Sequence, residues 1–253
     1  MKASACPAMT HSTVRGRIQY THDRYGVNGR EWFTITVAPD RSQTIRAMCE
    51  MDDIGLLRDV TYSVGPSFQA RDCSSRLSMR DSFQGSSWFW FHDNEVECEG
   101  LMANGGRFSQ RVTLSQPTPV FACHPLYCDG WHAAAYDHGS AEKSQLLRDC
   151  TNSSMPLDGS AAPSVGVVEK KLEYVGREEV EVPAGRFIAD RYRIHPMRRE
   201  NPEWTPLDFW VRPPEVLFVK LRWDMIEMTY ELAELEGDFG ILGVETAKSQ
   251  RNR

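Results

Sequence analysis

The fifteen residues HPLYCDGWHAAAYDH, His124 to His138, hold three histidines, two aspartates, two tyrosines, a cysteine and a tryptophan. Histidine is the side chain whose ordinary pKa lies nearest neutrality, and an adjacent aspartate or tyrosine can orient it, so this composition points to proton transfer. If DGWHAAAYDH turns helical after Asp129, that aspartate is the N-cap, and His132 stands one turn before Tyr136 on the same face. His124, ahead of Pro125 at the end of a strand, approaches from the same rim. The catalytic candidates are therefore His124, Asp129, His132 and Tyr136. The competing reading of the same residues is a capped helix that only packs against a sheet. The spacing of His124, Asp129, His132, Asp137 and His138 matches no compact ligand set such as HExxH, so no metal is expected.

The signatures of other chemistries are missing. The chain has no GxSxG elbow, no P-loop and no GxGxxG after a strand, so neither a nucleotide, a flavin nor any other organic cofactor is expected. What remains is chemistry that needs only a shaped cavity and one or two tuned acid-base groups. Aromatic residues can supply the cavity wall. Of seven tryptophans, Trp88 and Trp90 stand two apart in WFWF and share a strand face, and with Trp131 they are candidates to line a cavity for a flat hydrophobic ligand. In RAMCEMDDIGLLRD, Arg46 and Glu50 share a face; they contact such a ligand if they point inward and meet water if they point out. Glu95, Glu97 and Glu99 also share a face, and three like charges in a row prefer solvent.

Those candidates need elements to hold them. A chain of 253 residues with 41% hydrophobic residues has ample material for a core. From Val14 to Ser115 it runs through short alternating, β-rich stretches divided by turn signals such as YGVNGRE, APDRSQ and MANGGR, the pattern of an antiparallel meander. Between Gln116 and Ser164 the pattern breaks into prolines, the His124 to His138 cluster, a stretch AEKSQLLRDC that reads as a short helix, and TNSSMPLDGSAAPS, which reads as a surface loop over 151–164. Strands resume through VGVVEKKLEYVG, EEVEVPAGRF, IADRYRIH, LDFWVRP, LFVKLRWD and EMTYELAEL. In the last two, opposed Lys/Arg and Glu rows read as a solvated cross-strand ladder. The expectation from these patterns is one mainly β, antiparallel domain over 1–253, with one or two short helices in 124–150 and flexible ends at about 1–12 and 246–253.

Charge and cysteine content narrow the partners. With 29 basic and 35 acidic residues and no long block of either sign, no nucleic-acid or membrane surface is expected. The start MKASACPAMTHSTVRGR lacks the continuous apolar stretch of a secretory signal, so the chain reads as cytoplasmic. Its seven cysteines are irregularly spaced without a CxxC pair and read as reduced core thiols.

The run LEYVGREEVEVPAGRFIADRYRIH carries Tyr174, Gly176, Glu178, Val180, Val182, Pro183, Ala184, Gly185 and Phe187 in the pattern Y-x-G-x-E-x-V-x-V-P-A-G-x-F. Together with DFWVRPPEVLFVKLRW and MTYELAEL it resembles the C-terminal hairpins of a family of largely uncharacterised bacterial β-proteins. That family is similar to half-barrel carriers of the LolA and LolB kind. The resemblance covers the last third of the chain and implies that the antiparallel sheet is strongly curved, or a half-barrel, around a hydrophobic cavity; it carries over no catalytic residue. The functional expectation is a cofactor-independent lyase or isomerase acting on a hydrophobic, aromatic small molecule. In it His132 or His124 moves a proton while Tyr136 or a buried carboxylate stabilises developing charge. The alternative is a carrier that holds the same ligand unchanged, and a third is an interaction protein whose sheet edge pairs with a second copy as a homodimer.

Overall fold

The computed structural model describes residues 11–154, 159–196 and 205–242. The expected flexible ends, apart from residues 11 and 12, lie outside the described residues, as do Cys6 and Trp204. Eight strands follow one another without interruption: β1 (Ser12–His22), β2 (Gly26–Val37), β3 (Gln43–Met51), β4 (Leu56–Val64), β5 (Ala70–Met79), β6 (Ser82–Phe91), β7 (Glu95–Met102) and β8 (Gly106–Thr113). A two-residue strand β9 (Phe121–Ala122) precedes the helix α1 (Leu126–Gly130), which runs on into a 3-10 turn over Trp131–Ala135. Then come β10 (Ser144–Asn152), β11 (Gly166–Val182), β12 (Gly185–Pro196), β13 (Leu207–Arg212), β14 (Leu217–Trp223) and β15 (Met228–Glu236).

All fifteen strands share one sheet, in the order β8-β7-β6-β5-β4-β3-β2-β1-β15-β14-β13-β12-β11-β10-β9. From β1 to β8 and from β10 to β15 sequence neighbours pair antiparallel, because tight turns leave such a strand no other partner within reach, while β9 adds to β10 in parallel. The closing move is made by β15, which returns to β1 with Tyr230 opposite Tyr20, so the two halves of the chain are continuous in one ladder. The sheet curves without closing, and β8 and β9 are its edges. Mainly β and antiparallel, it is what the alternation predicts, and its curvature is what the family resemblance implies. No helix among the described residues is long and apolar enough to cross a membrane.

The core lies on the concave face. In β2, Phe33, Ile35 and Val37 are buried while Trp32, Thr34 and Thr36 face out, and β4 repeats this with Val60, Tyr62 and Val64. The helical segment fills the curve between the two halves. Tyr127 packs 4.5 Å from the Phe33 ring on one side and 6.4 Å from Phe218 on the other, and Trp131 lies 5.5 Å from Tyr62. Gly130 permits this approach: a Cβ there would stand 3.3 Å from Phe218 and Val211 of the wall it faces. The six described cysteines are buried free thiols. On the solvent side, Lys220 meets Glu231 across β14 and β15 at 2.8 Å, a rung of the expected ladder.

Two elements differ from the sequence expectation. AEKSQLLRDC is not a helix: Ser144–Asn152 is a strand, with Gln145 opposite Leu172 and Leu147 opposite Lys170. Pairing with the long β11 outweighs the modest helix preference of Glu, Lys, Gln and Leu, worth only tenths of a kcal/mol per residue. Nor are the described residues of TNSSMPLDGSAAPS, 151–154 and 159–164, a surface loop. Thr151, Asn152, Ser153 and Ser154 are buried, and the described part of the remainder is tied down from within: the Gly159 carbonyl accepts from Arg58 and the Pro163 carbonyl from Ser87 at 2.6 Å. Small polar residues here form a strap over the inner face of β4 and β6, two of its carbonyls held by side chains of those strands and the Ser164 amide by the Ser153 carbonyl at 2.8 Å.

Candidate functional site

Glu31 seats the chemistry-bearing segment. Alternation along β2 turns it inward with Phe33 and Ile35, where it is fully buried. Its carboxylate accepts the Leu126 amide at 2.6 Å, the Tyr127 amide at 3.1 Å and the Tyr20 hydroxyl at 3.1 Å, with the Cys49 thiol at 3.7 Å. These two amides belong to the first turn of α1, which has Pro125 at the cap position and no side-chain cap of its own. Asp129 is therefore not the N-cap, because the helix starts before it. Burial pushes the Glu31 carboxyl up to about 7, against the opposing pull of its three hydrogen-bond donors.

Beside this segment lies a cavity of about 170 Å³. Its polar lining comes from His124, Asp129 and His132 on the helical segment, Asn152 and Ser154 at the end of β10, Lys170 on β11 and Arg58 on β4. Its apolar lining includes Leu207, Leu221, Trp223 and Tyr230 from the adjacent strands β13, β14 and β15. Three of the four predicted catalytic residues thus converge at one cavity.

Their roles differ from the expected ones. The Nδ1 of His132 lies 2.8 Å from the Asp129 carbonyl, which can only accept, so Nδ1 carries the proton and Nε2 takes a hydrogen bond from Lys170 Nζ at 2.9 Å. Both ring nitrogens are engaged. Burial, reinforced by the Lys170 cation, holds His132 well below the ordinary histidine range, so the ring is neutral. His124, also depressed by burial, sits at a positive φ of 77° and shares a hydrogen bond of 2.7 Å with Ser154. Asp129 behaves oppositely: burial raises its carboxyl to about 7, with Lys170 pulling the other way. It is the group poised to exchange a proton near neutrality. Replacing Lys170 with Met is expected to raise the pKa of His132, read by NMR titration of its ring protons. A His132 titration unmoved in that variant would mean that burial alone sets it.

The remaining candidates lie elsewhere. Tyr136 is extended beyond the 3-10 turn and donates to the Glu142 carbonyl at 3.2 Å, in an aromatic group with His138, Tyr174 and Tyr192. The helical turn ends at Ala135, so the expected His132 and Tyr136 face does not form. Trp131 is a core residue against Tyr62, Phe68 and Tyr127. Trp88 and Trp90 do share a face and stack at 4.2 Å, but that face is the outer one. Arg46 and Glu50 are also outside, Arg46 on Thr36 and Glu50 on Arg30.

Glu31, Arg58, Lys170, Asn152 and Ser154 escaped the sequence reading. A signal for three of them was present: alternation puts Glu31 in step with Phe33 and Ile35, Arg58 with Leu56 and Val60, and Lys170 with Val168 and Leu172. A charged residue in step with a buried row is either a bulge or a site.

No family model matches the chain, and no curated protein does. Among solved structures it is similar to a β-barrel-like protein of the domain of unknown function DUF1849 from Brucella abortus, at 11% identity over 91% of this chain and 99% of that one, with a TM-score of 0.55. A protein with a YmcC-like fold from Bacteroides fragilis matches at 10% identity over 90% of this chain and 97% of that one, with a TM-score of 0.31. The first likeness shows the fold, a curved, barrel-like β-sheet.

Proposed function

We propose that the protein binds a small amphiphilic molecule in the interior cavity. Its polar head lies among Asp129, Lys170, His124 and Asn152, and its apolar body lies against Leu207, Leu221 and Trp223. The observation that carries this reading is the mixed lining of the cavity, which sets the charged and polar groups of His124, Asp129, Asn152 and Lys170 beside the apolar side chains of Leu207, Leu221 and Trp223. The YxGxExVxVPAGxF hairpin resembles that of an uncharacterised bacterial β-protein family, itself similar to LolA- and LolB-like carriers in which a curved sheet wraps a hydrophobic cavity, and this supports the same reading.

Native mass spectrometry of the protein as purified, followed by denaturation and identification of whatever is released, tests the proposal directly. Asn152→Leu is expected to weaken binding of the recovered compound, or of the amphiphilic dye ANS, by about tenfold, equivalent to ~1.4 kcal/mol. A variant that binds as tightly as the parent sinks the proposed pose. A second reading, acid-base turnover of that ligand, is favoured by one observation: Asp129 titrates near neutrality beside the Lys170 cation. In it Asp129 moves the proton and Lys170 stabilises developing negative charge, the form a lyase or isomerase takes. A compound recovered unaltered after prolonged incubation leaves binding alone.

A further inference from the structure

The outer face of the N-terminal half carries a second concavity, a groove of about 980 Å³ that shares no residue with the interior cavity. Register defines its floor. One cross-strand row runs Trp32, Met48, Asp59, Arg76, Ser86, Leu101 from β2 to β7; the next runs Thr34, Arg46, Thr61, Ser74, Trp88, Glu99 over the same strands. Two exposed indoles rise from this floor, Trp32 on β2 at 42% and Trp88 on β6 at 47% exposure. Each is braced from one side, Trp32 by Arg17 at 5.4 Å and Trp88 by the stacked Trp90. Four strand spacings of about 4.8 Å, roughly 19 Å along the sheet, separate their strands.

We propose that this groove binds a neutral oligosaccharide. Two exposed aromatic planes in a single groove are more than apolar residues scattered singly over a surface, and a concavity lined in this way marks a contact site. A planar indole face complements the C–H face of a sugar ring, which is apolar while its rim is polar. Between the tryptophans the floor offers hydroxyls at Thr61, Ser74 and Ser86 and charged donors and acceptors at Arg46, Arg76 and Asp59, the mixed set that meets ring hydroxyls in both directions. Charge decides the class of ligand. The lining has four arginines and four carboxylates, so it exerts no net pull on a polyanion such as nucleic acid. The spacing of the tryptophans selects a chain of several rings over a single sugar.

The test is intrinsic tryptophan fluorescence and isothermal titration calorimetry of the whole protein with cellohexaose, chitohexaose, maltohexaose and laminarihexaose. At least one is expected to bind with little dependence on salt. Trp32→Ala and Trp88→Ala are each expected to weaken it tenfold or more. Both side chains are exposed, so circular dichroism and melting should match the parent, and Tyr25→Ala, at 78% exposure away from the groove, should bind as the parent does. Failure of all four sugars at millimolar concentration, or binding that survives both tryptophan substitutions, overturns the proposal. So does tryptophan-dependent capture of a peptide or an anionic polymer that falls away as salt is raised.

Discussion

Replacing Glu31 with alanine is expected to destabilise the protein by about 4 kcal/mol or more, from about 1–3 kcal/mol for each donor left unmet in the core. Three donors lose their acceptor: the Leu126 and Tyr127 amides and the Tyr20 hydroxyl. At roughly 2–4 °C per kcal/mol for a chain of this size, the melting temperature should fall by roughly 10 °C or more in thermal denaturation followed by circular dichroism. Glu31→Gln should fall between, since it keeps one carbonyl acceptor but turns an amide donor on groups that are themselves donors. The same residue gives a pH dependence of definite sign. The folded carboxyl, at about 7, sits above its ordinary 4.5, so between these values the folded state holds more protons than the unfolded one. Its contribution is complete below pH 4.5 and is lost as the pH rises through 7. Asp129, raised from 3.8 to about 7, acts in the same direction. Stability should therefore decline from pH 5 to 7.5, less steeply in Glu31→Gln and least in Glu31→Gln with Asp129→Asn. A melting temperature in Glu31→Ala equal to the parent's would mean that core packing alone seats the helix.

Period-two alternation is a strong local signal, and it made the sheet legible. Every second residue is buried along the whole of β4 and from Gly29 to Val37 of β2. What alternation does not report is which distant strand a segment finds, and this is why β10 reads as a helix until β11 is there to pair with it. The convergence of His124, Asp129 and His132 was legible because they lie within nine residues of one another. Their partners were not, since Lys170, Asn152 and Arg58 are brought in by β11, β10 and β4. Roles shifted accordingly. Lys170 occupies the lone pair that would have made His132 a base, and burial beside that cation leaves Asp129 as the titrating group. The tryptophans show the complementary failure: Trp88 and Trp90 were correctly placed on one face, but a two-residue period cannot say which face is concave.

Arg58 gives the second large effect, because it joins the strap to the cavity. It is 4% exposed, donates to the Gly159 carbonyl and lines the cavity beside His124 and Ser154. Gly159 sits at a positive φ of 67°, and a Cβ there would collide with the guanidinium, so the strap's conformation and the arginine's position are mutually fitted. In Arg58→Met the carbonyl loses a charged donor whose hydrogen bond is worth about 1.5–3 kcal/mol. The expected result is a melting temperature lower by several degrees, together with faster proteolytic cleavage within 151–164. Opening the strap also exposes the cavity, so ANS should exchange faster and bind more weakly. Arg186→Ala, which removes an exposed pair with Glu181 on β11 away from the cavity, should leave both proteolysis and dye binding unchanged. If Arg58→Met is cleaved no faster than the parent, Ser87 and the backbone of Ser153 hold the strap by themselves. Arg58 would then belong to the cavity alone, with its effect confined to the ligand.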